Sequence, residues 1–264
     1  MTDNKAGAAA ATLWRHFQER TKLNGLSADQ RPLDRAEGYA AQAEMARLSN
    51  QPVVGWKIAA TSAAGQKHIG VDGPLAGPLL ANRVFENPAQ TTFSLDGNIM
   101  NVAEAEFAFR FAQALPPRPV PYGRDEVLDA IESLHPAIEV PDSRYREFAK
   151  VGAPQLIADL ACACWFRLGP PTEVDWRQRN LVTHRVNAYI NGERVATGTG
   201  ANVLGDPRIA LTWIVNELAT FAGGIRAGQF VTTGTCVVPP AVRAGDLFRA
   251  DFGEFGKVEV NLID

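Results

Sequence analysis

Two glutamates one residue apart, Glu104 and Glu106, lie in the stretch Asn101-Val-Ala-Glu-Ala-Glu-Phe-Ala-Phe-Arg-Phe111, and a third, Glu139, follows in the apolar run His135-Pro-Ala-Ile-Glu-Val140. If both runs are strands, Glu104 and Glu106 point to one side, while Ala103, Ala105, Phe107, Phe109 and Phe111 form the opposite, core-facing side. Three carboxylates from two neighbouring strands make a hard oxygen site suited to Mg2+ or Mn2+, with open positions for a substrate. Taken alone, a Glu-x-Glu pair on a strand is a solvated face. The metal reading therefore rests on what accompanies it.

Lys57 is the notable base. It sits in Val53-Val-Gly-Trp-Lys-Ile-Ala-Ala60, an apolar run that would bury part of its stem. Burial lowers a lysine's pKa and a neighbouring carboxylate raises it, so such a group suits proton transfer; the rival reading is a snorkelling lysine at a strand edge. The histidines, His16, His68, His135 and His184, show no metal-ligand spacing and read as structural or exposed. There is no Gly-x-Ser-x-Gly elbow and no Walker loop, and Gly198-Thr-Gly200 lacks the third glycine of a dinucleotide fingerprint.

The elements that must position these groups follow from pattern. Helices are expected at 8–23 and 33–48, a strand at 53–60, and a short helix from a Thr61-Ser62 cap to Gly70. Pro74, Gly77 and Pro78 mark a loop. Strands are expected at 91–95, 102–111 and 137–140, with helices at 124–134, 154–168 and 206–222. Asn191-Gly192 between two strand-like runs is a strong hairpin signal, and Gly253-Glu-Phe-Gly256 marks a second one near the end. The elements do not alternate in a βαβ rhythm, which disfavours a doubly wound sheet. The expected class is α+β, with an N-terminal helical segment (1–52) before a β-rich catalytic domain (53–264).

With 264 residues, 46% hydrophobic and 21% charged, the chain has the composition of a soluble globular protein. A formal net charge of −3 gives no footprint for nucleic acid or an anionic membrane. Cys162-x-Cys164 falls in the helical 154–168 run, and with Cys236 makes three thiols that read as structural. Neither a signal peptide nor a membrane span is evident, so a reducing cytoplasm is expected.

Several motifs in order resemble the 2-keto-4-pentenoate hydratase/4-oxalocrotonate decarboxylase family, within the fumarylacetoacetate-hydrolase-like superfamily. They are Gly55-Trp-Lys-Ile58, Thr61-Ser62 with Gln66-Lys67, and Gly70-Val-Asp72; then Glu104-Ala-Glu106 and Glu139-Val-Pro-Asp-Ser-Arg144. Gly198-Thr-Gly-Ala-Asn-Val-Leu-Gly-Asp-Pro207, Ala210-Leu-Thr-Trp213, Arg226-Ala-Gly228, Thr233-Gly234 and Ala244-Gly-Asp246 complete the series. The resemblance implies a mixed β-sheet roll of the fumarylacetoacetase C-terminal type. It implies a metal on Glu104, Glu106 and Glu139, a 2-oxo acid chelating it, Lys57 shuttling a proton, and Arg144, Thr233 and Gly234 touching substrate. It also implies a homo-oligomer, or a complex with a related lyase.

Two departures bear on the reaction. By the same resemblance, hydratases carry an aspartate where this chain has Leu75, and decarboxylases an apolar residue. The family's Asp-Asn-Ala-Ser segment reads Asp159-Leu-Ala-Cys162 here. The expected function is a metal-dependent lyase on a small unsaturated 2-oxo acid of aromatic catabolism. Hydration of a 2-hydroxypenta-2,4-dienoate-type substrate is the default, and decarboxylation of a 4-oxalocrotonate-type diacid the alternative. A degenerate subunit that has lost turnover is the non-enzyme rival, favoured by Leu75, Leu160 and Cys162 and opposed by the retained glutamates and Lys57.

Overall fold

The structure, a computed structural model, describes residues 2–89 and 91–264. Two helices lead, α1 (Thr2–Glu19) and α2 (Arg35–Leu48), the second opened by Asp34, whose side chain accepts from the Glu37 N–H. Next come β1 (Val53–Ala59) and α3 (Ala63–Ile69), which is capped by Ser62 and closed by Gly70 at φ 70°. Strands β2 (Leu75–Leu80), β3 (Val84–Phe85), β4 (Thr92–Ser94) and β5 (Glu104–Phe111) follow. Helix α4 (Arg124–Asp129) leads into β6 (Ile131–Val140), and α5 (Ala153–Ala158) precedes β7 (Trp165–Leu168). Strands β8 (Arg185–Ile190) and β9 (Glu193–Thr199) form the expected hairpin, with Asn191 and Gly192 both at positive φ. Helix α6 (Pro207–Phe221), β10 (Phe230–Thr235), β11 (Leu247–Asp251) and β12 (Lys257–Ile263) close the chain.

The strands form two mixed sheets, ordered β2-β1-β10-β5-β6-β7-β3 and β4-β12-β11-β8-β9. The larger sheet is curled. Strands β10 and β7 lie three places apart in it, about 14 Å on a flat sheet, yet the rings of Phe230 and Phe166 stack with centroids 5.2 Å apart. Register puts both rings on the glutamate side: Phe166 pairs with Glu139, and a Cβ on Gly55, one side-chain period from Lys57, would meet the Phe230 ring at 2.8 Å. That side is therefore concave. On the other side of β5, Phe107 meets Phe252 and Phe255 edge-on at 5.1 and 5.9 Å, joining the core beneath the smaller sheet. Side chains of α1 and α2, among them Leu13, Tyr39 and Met45, belong to the same buried core.

Several elements differ from the sequence reading, each for a tertiary reason. The segment expected as a loop at 74–78 is strand β2, and Pro78 is tolerated because β2 is an edge strand that needs no N–H on its outer side. The helix expected at 124–134 stops at Asp129, because 131–140 pairs along the whole of β5. The helix expected at 154–168 breaks after Ala158, and Trp165–Leu168 becomes a strand against β6. Cys162 thus ends a single 3-10 turn (Leu160–Cys162) and Cys164 lies beyond it, neither being in an α-helix. Nor is the glutamate side of β5 wet: Glu106 and Ala108 are as buried as Phe107 and Phe109.

Gly77 has a packing role, since a Cβ there would stand 2.0 Å from the Leu160 carbonyl oxygen. Gly77→Ala is expected to lower stability by about 2–3 kcal/mol, the scale of overpacking. Gly73→Ala, where nothing lies within 4 Å, should leave the urea midpoint unchanged.

Candidate metal centre

In the β5–β6 ladder Glu104 stands directly opposite Glu139, and Glu106 is two residues further along the same side. One carboxylate oxygen from each of the three lies within 4.8 Å of the others. Glu106 and Glu139 are fully buried, while Glu104 is partly exposed and marks the open end. The Gly234 N–H donates to Glu106 Oε2 at 3.0 Å, which fixes that side chain. Glu106 Oε1 and Glu139 Oε2 are buried with no hydrogen-bond partner among the described residues.

Orphaned buried carboxylate oxygens are costly unless a cation or donor meets them. Lys57, itself buried, stands 3.0 Å from Glu139 Oε1 as an ion pair and donates to the Ala161 carbonyl at 3.1 Å. One ammonium against three carboxylates leaves the cluster short of positive charge. Burial first, then Glu139 and Glu104, push the Glu106 carboxyl well above its ordinary value. Burial also raises Glu139, against the pull of Lys57. Burial alone would lower Lys57, but Glu139 and then Glu104 outweigh it and keep the ammonium charged. An all-oxygen donor set with unmet lone pairs fits a hard divalent cation held by Glu104, Glu106 and Glu139.

The groups brought to this side by register are informative. Lys57 pairs with Gly77, and Ala59 with Leu75, so the buried Leu75 shares the face of Lys57. Thr232, opposite Ala108, shares it too, with its hydroxyl buried and unpartnered among the described residues. Sequence reasoning missed Thr232, whose place depends on a parallel pairing between β1 and β10. It missed the Ala161 carbonyl as well, for which side-chain chemistry gives no signal.

That carbonyl is held by unusual backbone. Leu160, Ala161 and Cys162 are all left-handed, at φ 54°, 49° and 65°. Each such non-glycine residue costs roughly 1–2 kcal/mol, so the surroundings must over-determine the turn. The buried Cys162 thiol is pushed up to about 12 by burial and then by Asp159, so it stays protonated.

Arg144, Thr233 and Gly234, expected to touch substrate, have their donors engaged within the protein. Arg144 is buried in an ion pair with Asp159, with further hydrogen bonds to the Asp159 and Ala163 carbonyls. The Thr233 hydroxyl donates to the Phe107 carbonyl, and the Gly234 N–H is the one on Glu106. These groups support the site's walls and ligands in this structure.

A carboxylate triad with a charged lysine, on the concave side of a curled mixed sheet, defines a class. The chain belongs to the fumarylacetoacetate (FAA) hydrolase C-terminal family, whose model matches residues 83–263. It is 28% identical over 258 residues to 2-oxo-hept-4-ene-1,7-dioate hydratase of Escherichia coli, covering 93% of each chain. It is 30% identical over 235 residues to 4-oxalocrotonate decarboxylase of Pseudomonas putida, covering 86% of this chain and 85% of that one. The solved 4-oxalocrotonate decarboxylase of Pseudomonas putida G7, complexed with magnesium and adipate, superposes with a TM-score of 0.87 at 27% identity, covering 100% of this chain and 99% of that one. Among the described residues, no helix is long and apolar enough to cross a membrane.

The raised carboxyls give the metal-free protein a defined pH response. Folded Glu106 and Glu139 keep protons that the unfolded chain, titrating near 4.5, has released. The folded state thus binds more protons, and stability falls as pH rises from about 4.5 towards neutrality. The melting temperature of the chelator-treated protein should decline across that window. The gain on adding Mg2+ should grow with pH, with proton release visible by calorimetry in buffers of different ionisation enthalpy.

Proposed function

We propose that the protein is a divalent-metal-dependent lyase acting on a small unsaturated 2-oxo acid, with decarboxylation of a 2-oxo diacid as its principal reaction. The observation that carries the choice of reaction is Leu75, an apolar side chain buried on the face of Lys57. Glu104, Glu106 and Glu139 would hold Mg2+ or Mn2+. When bound, the ion would supply positive charge that stabilises negative charge developing on the substrate's 2-oxo oxygen.

The chain's own residues do the remainder. As the bond to the departing carboxylate breaks, carbon dioxide leaves and the electron pair passes along the conjugated chain to the 2-oxo oxygen. Lys57, kept charged by Glu139, delivers the proton that the resulting dienolate takes up. An apolar Leu75 suits a carboxylate that must shed its hydration to leave, and offers no group to activate water. The Gly234 N–H keeps Glu106 aimed at the cation.

Hydration stands as the second reading, favoured by the likeness to the Escherichia coli hydratase across nearly the whole chain. The same metal and lysine would serve it, with water adding to the activated alkene. The free cysteines suit a reducing compartment such as the cytoplasm, and the helical segment 1–52 is read as a lead-in to the catalytic domain 53–264. A homo-oligomer, or a complex with a related lyase, belongs to the same reading.

Carbon dioxide release from an oxalocrotonate-type diacid should require Mg2+ or Mn2+ and fall at least 1000-fold in Glu106→Gln, the scale expected when a metal's charge stabilisation is lost. Loss of the 2-hydroxypenta-2,4-dienoate absorbance should be the slower reaction. If diene loss is faster and carbon dioxide release is absent, hydration is the function. Leu75→Asp should raise the KM for the diacid about tenfold or more, since a carboxylate there repels the substrate's own carboxylate on binding.

A further inference from the structure

The left-handed turn at Leu160–Cys162 is, among the described residues, the one run of three successive non-glycine residues at positive φ, and it is built around a single carbonyl. Its outer end is tied down by Asp159. The Asp159 carboxylate accepts from Arg144 Nε and, at 2.9 Å each, from the Arg144 N–H and the Ser143 hydroxyl. The Asp159 carbonyl accepts from Arg144 Nη2 at 2.6 Å and from the Cys162 N–H at 3.0 Å. The turn closes with the Ala163 N–H on the Leu160 carbonyl, and its exit is pinned where the Asp142 N–H donates to the Cys162 carbonyl. Gly77, opposite Lys57 in the β1–β2 ladder, leaves room for the Leu160 carbonyl to press against that strand.

We propose that the buried Arg144–Asp159 pair is a positioning device for Lys57, acting through the left-handed turn whose central carbonyl receives the Lys57 ammonium. An ammonium has three N–H directions. The Ala161 carbonyl accepts from one of them at 3.1 Å, and the Glu139 carboxylate, 3.0 Å away, draws the ammonium by charge, which on this proposal leaves an N–H for the ligand space beside the glutamates. Without the pair, the turn relaxes towards ordinary backbone, the carbonyl swings away, and the ammonium follows Glu139 alone. Lys57 then keeps its charge and loses its aim. Arg144 and Asp159 are positioning residues, and the inference rests on the proton-transfer role given to Lys57 above.

The test isolates proton transfer from turnover. In D2O with Mg2+, the C3 protons of 2-oxopentanoate exchange once the Lys57 ammonium has first released a proton to solvent. The C3–H bond breaks, its electron pair shifts to the 2-oxo oxygen, the C3 proton passes to the Lys57 amine, and after exchange with solvent a deuteron returns to C3. The exchange rate is read by NMR, Mg2+ affinity by calorimetry, and backbone amide exchange of 159–163 by mass spectrometry. Asp159→Asn should slow C3 exchange roughly 10- to 100-fold, the cost of a misplaced catalytic group, with Mg2+ affinity unchanged and the 159–163 amides exchanging faster. Ser143→Ala, which keeps the ion pair and removes the hydroxyl that donates to Asp159 and accepts from the Tyr145 N–H, should show the same pattern at about three- to tenfold and covers the case in which Asp159→Asn fails to fold. Wild-type C3 exchange in Ser143→Ala with loosened 159–163 amides overturns the proposal. So does a loss of Mg2+ affinity that matches the loss of exchange in both variants, because the pair is then a general scaffold. Unaltered exchange in Lys57→Met places the failure instead in the role assigned to Lys57.

Discussion

Mutual repulsion among three carboxylates on one concave face is the constraint around which this molecule is built. Two of them are fully buried, where the charged form is penalised by lost hydration as well as by its neighbours. A fold can carry such a cluster only with compensation at hand. Here the compensation is a buried lysine on one flank, a backbone N–H on another, and lone pairs left for a cation. The curl of the larger sheet follows from the same demand, because a flat sheet would leave Glu106 and Glu139 facing water. The aromatic pair Phe166–Phe230 closes the concave side at a point where no polar group is required.

The scaffold behind Lys57 shows how strain is distributed. Three successive left-handed residues are expensive, and they sit where a carbonyl rather than a side chain does the positioning. The elements that enforce them come from distant parts of the chain. Gln42 of α2, almost fully buried, donates to the carbonyls of Ala76 and Ile157, bracing β2 against α5. Lys22 pairs with Asp142, and the Leu23 N–H donates to the Arg144 carbonyl. The N-terminal helices therefore reach the rim of the site through hydrogen bonds as well as through apolar packing.

Much of this was legible in the sequence. The glutamate spacing, Lys57 in its apolar run, the Asn191-Gly192 turn and the Ser62 cap each carry a local physical signature, and each stands where that signature places it. What escaped were the features decided by partners far away in sequence. Residues 131–134 continue a helical pattern after α4, yet the unpaired edge of β5 draws them into a strand. The 154–168 run has helical composition throughout, and its break at Asp159 is visible only once Arg144 is known to bury itself there. Leu75 was legible as a departure, and its meaning came from the β1–β2 register, which sets it on the face of Lys57.

The parallel pairing of β1 with β10 has a consequence for how the molecule comes into being. Gly55 and Trp56 find their partners at Phe230 and Val231, so the strand bearing Lys57 is joined to the glutamate-bearing strands only through a partner far downstream in the chain. Such remote contacts close large loops and form late. On the ribosome, the glutamate hairpin of β5 and β6 emerges long before β10 exists to cover its other edge. A chain interrupted before residue 230 would carry all three glutamates and the lysine and still have no site. Assembly of the face that carries the glutamates and Lys57 thus depends on β10, which joins β1 to β5.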